Sequence, residues 1–288
     1  MTYSRPVVDL IKERFSCRTF SAAPIDSAHR IRLSEAAAAL HAGPLGIPLR
    51  FQLVAATAAD SAELRGLGTY GFIRGASGFL IGAAPTQGFS LESFGYATEE
   101  LVLLATDLGL GSCWLGGTFR RGSFSRRIAR RRGESIPAVI AVGVISDLAA
   151  ARGGALRTRV GGSRRKGWDQ LFFDGGFGVP LTPDSAGALS GPLEMLRLGP
   201  SASNKQPWRV VRQGKSWHFF LQRTPGYRSA LLARLLGILD IQRVDIGIAM
   251  CHFELAAREQ GLKGEWMVRD PGLALPDPLT QYIVSWQG

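Results

Sequence analysis

The chain repeats part of itself, and a repeat of this length means that one folding unit has to be built twice. Pro24 to Pro44 reads PIDSAHRIRLSEAAAALHAGP, and Pro180 to Pro200 reads PLTPDSAGALSGPLEMLRLGP. They align without a gap at an offset of 156, sharing the bounding prolines, Gly43-Pro44 with Gly199-Pro200, Leu33 with Leu189 and Leu40 with Leu196. A second pair follows in the same order. GYATEELVLLATDLGLGSCW (Gly95–Trp114) matches GIAMCHFELAAREQGLKGEW (Gly247–Trp266) at an offset of 152. The expected organisation is two halves, 1–162 and 163–288, with the Arg- and Gly-rich stretch 150–167 as the crossing between them.

Each half reads as a helix, a loop, a strand, a variable middle and a long central helix. The first helix follows Ser4 as its expected cap, with Pro6 in the first turn and Val7, Val8, Leu10, Ile11 and Phe15 at helical spacing. Phe51–Ala55 reads as a strand, and Ile136–Ile145 as a buried one. Arg209–Val211 and Trp217–Leu221 read as a hairpin turning at Gln213-Gly214-Lys215. The central helices carry apolar residues on most faces (Leu101, Leu104, Leu108; Ile246, Met250, Phe253), and Gly247 and Ala249 leave room for close approach. Helices covered all round belong in an interior, so these two are expected to pack together and join the halves around a common core.

The 288 residues are 45% hydrophobic and 20% charged, enough apolar mass for a sizeable core and against disorder. No apolar run approaches the roughly twenty residues of a membrane span. Arg5, Asp9, Lys12, Glu13 and Arg14 near the start argue against a secretory leader. Three distant cysteines (Cys17, Cys113, Cys251) and four scattered histidines form neither a disulfide framework nor a metal pattern, so a reducing cytoplasm is expected. The net charge is +11, and only five of the 34 basic residues are lysines. Such a field favours anionic ligands without choosing among them.

Three segments carry chemistry. Arg14-Phe15-Ser16-Cys17-Arg18 places two guanidinium groups and a hydroxyl in five residues, a set suited to phosphate. Pro200-Ser201-Ala202-Ser203-Asn204-Lys205-Gln206-Pro207-Trp208 is a polar loop entering a strand, and Gly109 to Gly117 (GLGSCWLGG) leads from the first central helix into a glycine turn. On these segments the chain resembles the nitroreductase family of FMN-dependent oxidoreductases, and more narrowly the members that fuse two such halves in one chain. The resemblance implies an α+β, nitroreductase-like α/β/α fold forming a pseudo-dimer. It also implies FMN as cofactor, NAD(P)H as transient reductant, and a small electron-poor acceptor such as a nitroaromatic or a quinone.

By family position, Arg14 and Ser16 would hold the FMN phosphate and Arg18 the N1/O2 edge of the ring. Arg164, Arg165 or Lys166 would add a second phosphate cation. Leu115, Gly116 and Gly117 would line the flavin, with a glycine N–H at N5, and Pro200, Ser201, Ala202, Asn204 and Gln206 would contact ribityl chain and ring. No protein acid, base or nucleophile is implied, because the cofactor carries the hard step. At the repeat offset Arg14, Ser16 and Arg18 become Gln170, Phe172 and Asp174, while the Pro-Ser-x-x-Asn loop becomes Pro44-Leu45-Gly46-Ile47. Each half keeps the side of the site that the other lacks. One flavin site and a monomer in solution are therefore expected. A flavin binder that has lost catalysis is the alternative.

Other patterns have plainer readings. Gly66-Leu67-Gly68-Thr69-Tyr70-Gly71 has dinucleotide spacing but opens no helix, and Gly214-Lys215-Ser216 reads as hairpin turn. The run Arg120–Arg132 holds seven arginines. As one helix it would be basic on nearly every face except Ile128 and Ala129. It reads as a solvated face, with phosphate neutralisation on a nucleic acid as the rival. No recognition motif accompanies it, so no nucleic-acid partner is expected.

Overall fold

The computed structural model describes residues 1–57, 64–148, 164–226 and 239–288. They divide into two units, Met1–Ser163 and Arg164–Gly288. The expected boundary at 162/163 and most of the crossing stretch 150–167 lie outside the described residues.

In the first unit α1 spans Val7–Glu13, α2 Ser27–Ala39, β1 Arg50–Ala55, β2 Gly78–Pro85, α3 Ser90–Asp107, β3 Gly111–Leu115, α4 Arg121–Arg127, β4 Glu134–Ser135 and β5 Val139–Gly143. The main sheet runs β1-β2-β5-β3 with antiparallel neighbours, and β4 adds to β2. All five residues of β5 are buried, as are Gly78–Ala84 of β2, so these strands carry the apolar runs of the sequence in the sheet centre. α3 is buried from Ser90 to Ala105 on nearly every face, as its composition demands. Phe51 of β1 stacks on Phe94 of α3 with ring centroids 5.8 Å apart. The glycine at 43 follows from a close approach: a Cβ there would sit 2.8 Å from the Ser93 backbone.

Three local expectations change. Ser4 does not cap α1. Its hydroxyl and N–H donate to Asp107 at 2.6 and 2.7 Å, and Pro6 holds the N-cap position. The carboxylate at the end of α3 is the stronger acceptor, a charge-assisted one. The strand expected over Ile136–Ile145 shortens to Val139–Gly143, because Pro137 has no N–H for the ladder. The arginine run is helical only over Arg121–Arg127, and Ala129 has φ 46°, which ends the helix. Phe124 and Ile128 are buried, so the segment has an apolar face after all.

In the second unit α5 spans Trp168–Leu171, β6 Phe172–Asp174, α6 Pro183–Ala186, α7 Ser190–Arg197, β7 Trp208–Gln213, β8 Ser216–Gln222, α8 Ile241–Glu259, β9 Glu265–Met267 and β10 Thr280–Gln287. Its sheet runs β6-β7-β8-β10-β9. Thr182 and Ser185 form a capping box with Pro183 in the first turn of α6. β7 and β8 form the expected hairpin, pairing Gln213 with Ser216 around Gly214 at φ 57°. Aromatic edges lock the apolar face of α8: Phe219 and Phe253 lie 5.4 Å apart, and Trp266 and Trp286 5.0 Å.

The sequence repeat is a repeat of topology. The order β7-β8-β10-β9 reproduces β1-β2-β5-β3, and each long buried helix lies between the second and third strands of its series along the chain. The matched tryptophans do the same job: Trp114 Nε1 donates to Glu99 of α3 at 2.8 Å, and Trp266 Nε1 to Glu254 of α8 at 2.6 Å. Among the described residues, only the second unit has a parallel edge strand, β6.

Candidate functional site

The first unit brings two of the three chemical segments together. Ser16 forms a parallel bridge with Ser112, and Cys17 N–H donates to the Ser112 carbonyl at 2.8 Å. The Arg14–Arg18 stretch therefore runs beside β3, whose end is the Leu115–Gly117 turn. Arg14 follows α1 and is nearly buried, with its Nε 3.6 Å from Glu99. It lines a cavity of about 610 Å³ with Arg5, Phe15, Gly111 and Ser112. Glu99 thus holds both Arg14 and Trp114, fixing the guanidinium beside the strand. Ser16 and Arg18 are half-buried.

The Leu115 side chain belongs to the hydrophobic core and can offer a ligand only its backbone. Gly116 accepts from Arg121 Nη2 at 3.1 Å. Gly117 is exposed, has no positive φ, and an added Cβ would meet nothing within 4 Å. Among the described residues of its own unit, nothing requires glycine there. Cys17 and Cys113 are buried thiols, and burial pushes Cys113 up to about 11, which leaves it protonated at neutral pH.

The second unit joins Arg164, Arg165 and Lys166 to the Pro200–Trp208 loop. Arg165 Nη1 donates to Asn204 Oδ1 at 3.2 Å, Asn204 Nδ2 to the Arg164 carbonyl at 2.9 Å, and Lys166 N–H to Gln206 Oε1 at 2.8 Å. Gln206 N–H donates to Ser201 Oγ at 2.9 Å. Gln206 is buried, so its amide organises the loop from within, whereas Pro200, Ser201, Ala202 and Asn204 are half-buried along its length. Ser203, Asn204 and Gln206 all have φ near +50°, which costs of order 1 kcal/mol or more per non-glycine residue. That conformation persists because the ties around it are dense.

Three participants are not evident from the segments alone. Asp245 of α8 accepts from Ala202 N–H at 3.0 Å, while its Oδ2 is buried without a hydrogen bond. Desolvation holds this carboxyl well above the usual carboxylate range. Its signal in the sequence is one acid inside the apolar run Val244-Asp245-Ile246. Arg209 is buried in β7, and burial lowers it to about 10. Glu99, fully buried, has no signal beyond an acid on an apolar helix.

The positions that replace the phosphate signature in the second half have other work. Phe172 is fully buried, and Asp174 takes a two-pronged ion pair from Arg212 at 2.9 and 2.6 Å. The arginine run is also partly occupied. Arg121 Nη1 donates to the Ile136 carbonyl, and Arg130 Nη1 to the Glu134 carbonyl at 2.7 Å. No helix among the described residues is long and apolar enough to cross a membrane.

Two tandem sheets, each with its buried central helix, define a nitroreductase-like fold of mixed helices and sheets. Residues 6–257 match the family model described as "Putative TM nitroreductase", and the chain belongs to that family. Comparison with curated proteins gives no match. Among solved structures, a "putative nitroreductase" from Thermotoga maritima MSB8 is 16% identical, with a TM-score of 0.61 over 100% of this chain and 95% of that one. A "putative nitroreductase in complex with FMN" from Desulfovibrio desulfuricans is 22% identical, with a TM-score of 0.40 over 50% of this chain and 88% of that one. A "Putative NADH Oxidase" from Clostridium acetobutylicum is 21% identical, with a TM-score of 0.39 over 48% of this chain and 89% of that one.

Proposed function

We propose that the chain is an FMN-dependent oxidoreductase with one flavin site, to which the first half contributes Arg14, Ser16, Arg18 and the Leu115–Gly117 turn. The second half contributes Pro200–Gln206 and a second phosphate cation from Arg164 or Arg165. The observation that carries this reading is the convergence of residues distant in sequence into one cluster per half: Ser16 against Ser112, and Arg164–Lys166 against Asn204 and Gln206.

The residues fit the group on observations internal to each half. Arg14 lines a cavity with Arg5 and Ser112, guanidinium and hydroxyl groups suited to phosphate, and the Glu13 and Asp107 carboxylates of the same wall are ion-paired with Arg5. Gly117 leaves open the space that a side chain would fill, so a planar ring can approach the backbone. The loop around Ser201–Asn204 is held in a strained shape by Asp245 and Gln206, which orients its polar atoms before any ligand arrives. Bound FMN would supply the chemistry, accepting hydride from NAD(P)H and reducing a small electron-poor acceptor such as a nitroaromatic or quinone. The chain's own part is to grip the phosphate with Arg14 and Ser16, place the Arg18 cation near the ring, and hold donor and acceptor on one face in turn.

Titration of the purified protein with FMN tests this reading. One FMN per chain, with bleaching near 450 nm on adding NADH or NADPH, is the expected result. Two FMN per chain would overturn the single-site model. Flavin that binds but never bleaches with either nucleotide would leave a flavin binder instead of an enzyme. Asp174→Arg should not raise the stoichiometry, because the other half-site residues are absent from that copy.

A further inference from the structure

We propose that the second unit carries a separate oxyanion pocket around Lys166 and Arg209, which takes a small molecule bearing a carboxylate or phosphate on an apolar body. The pocket encloses about 390 Å³ and is lined by Lys166, Gln170, Phe173, Phe177, Arg209 and Pro276, among others. These come from α5 and the residues just before it, β6 and the turn after it, β7, and the segment before β10.

Its charge is unbalanced. Arg209 Nη1 donates to the carbonyls of Gln206 and Trp208 at 3.1 and 2.5 Å, and Lys166 Nζ to the same Gln206 carbonyl at 3.4 Å. Two cations thus converge on one oxygen atom. Among the described residues neither has a carboxylate within ion-pair distance. Burial lowers Lys166 to about 8, with Arg209 and Lys205 adding repulsion, and burial lowers Arg209 to about 10. Asp277 is the acid that Arg209 feels, but its carboxylate is engaged by Gln222 Nε2 at 2.7 Å, Leu279 N–H at 2.8 Å and Thr280 Oγ1 at 3.0 Å. Like charges held out of water beside an open volume are costly, and an anion between them removes that cost.

The walls define the rest of the ligand. Phe173 and Phe177 lie 5.4 Å apart by ring centroids, and Phe177 packs edge-on to Phe220 at 5.0 Å. Phe220 is the cross-strand partner of Arg209, so both point to the same sheet face. The neighbouring Phe219 meets Phe253 of α8 on the other face. The pocket therefore opens away from α8, whereas the Ala202 end of the loop is tied to α8 through Asp245.

Isothermal titration with benzoate, inorganic phosphate and the uncharged control benzamide tests this, with and without saturating FMN, on wild type, Arg209→Gln and Arg209→Lys. Benzoate or phosphate should bind once per chain and benzamide should not; which of the two anions binds identifies the source of the oxyanion. Arg209→Gln should weaken binding at least about tenfold, as loss of a buried charge partner does, while Arg209→Lys retains most of it. Affinity should fall between pH 7 and pH 9 as Lys166 loses its proton, with Lys205, Arg209 and Asp277 as the charged groups acting in the site. Circular dichroism melts of both variants separate loss of binding from loss of fold. Absence of saturable anion binding, unchanged affinity in folded Arg209→Gln, or displacement of the anion by FMN would each overturn the proposal.

Discussion

Replacing Asp245 by asparagine separates charge from shape at the base of the candidate site. In the folded chain Asp245 is buried, its Oδ1 accepts from Ala202 N–H at 3.0 Å, and its Oδ2 has no hydrogen bond. Desolvation raises the carboxyl well above its ordinary 3.8. A group that binds its proton more tightly when folded stabilises the fold fully below the unfolded value. That contribution is lost as pH rises through the folded value. Asparagine keeps an oxygen for Ala202 and cannot ionise, so its stability should not follow this course. Between the two values the variant should gain on wild type by about 1.4 kcal/mol per pH unit. Urea unfolding of both proteins at pH 4.5, 5.5 and 6.5 measures the difference directly. A gap that stays constant across that range, or one that closes as pH rises, would show that the fold does not raise the Asp245 carboxyl. FMN affinity should survive in Asp245→Asn and fall in Asp245→Ala, which releases Ala202 and with it the strained loop.

Two further substitutions test the first half of the site. Gly117→Val adds a side chain where the fold offers open space, so thermal stability should change by less than about 1 kcal/mol, while FMN affinity drops at least about tenfold. Loss of stability with FMN binding intact would refute a flavin-facing turn. Arg14→Ala should weaken FMN binding by about 1.5–3 kcal/mol, the range for a hydrogen bond to a charged group. Arg14→Lys keeps a cation for Glu99 and serves as the folding control. Equal affinity in Arg14→Ala and wild type, read by flavin fluorescence quenching, would remove the phosphate role.

Much of the architecture is legible in the order of residues, because it depends on local periodicity. Two gapless repeats announce a doubled topology, and the apolar runs of α3, α8 and β5 announce burial on all sides, whereas β2 lies in a stretch with no such reading. The hairpin follows from Gly214 alone with its flanking branched and aromatic residues. Short motifs likewise name chemistry, since two guanidinium groups and a hydroxyl in five residues suit phosphate whatever surrounds them. Ser4 escapes such reading: a cap signal is local, but the Asp107 carboxylate that claims the hydroxyl lies 103 residues away. The arginine run misleads for a related reason, because Phe124 and Ile128 turn inward only once a core exists to receive them.

What belongs to the tertiary structure is everything set by desolvation and by pairing across the chain. The sequence by itself determines that Asp245, Lys166 and Arg209 are present and charged in water. Only the fold decides that one carboxyl holds its proton more tightly than in water and that the two cations share a single carbonyl oxygen, because burial and neighbour distance, not residue type, fix the energy of a charge. The repeat in the sequence determines two sheets of one topology. The contacts that place Ser16 beside Ser112, and Gln206 between Ser201 and Lys166, come from the packing, where residues far apart along the chain become each other's surroundings.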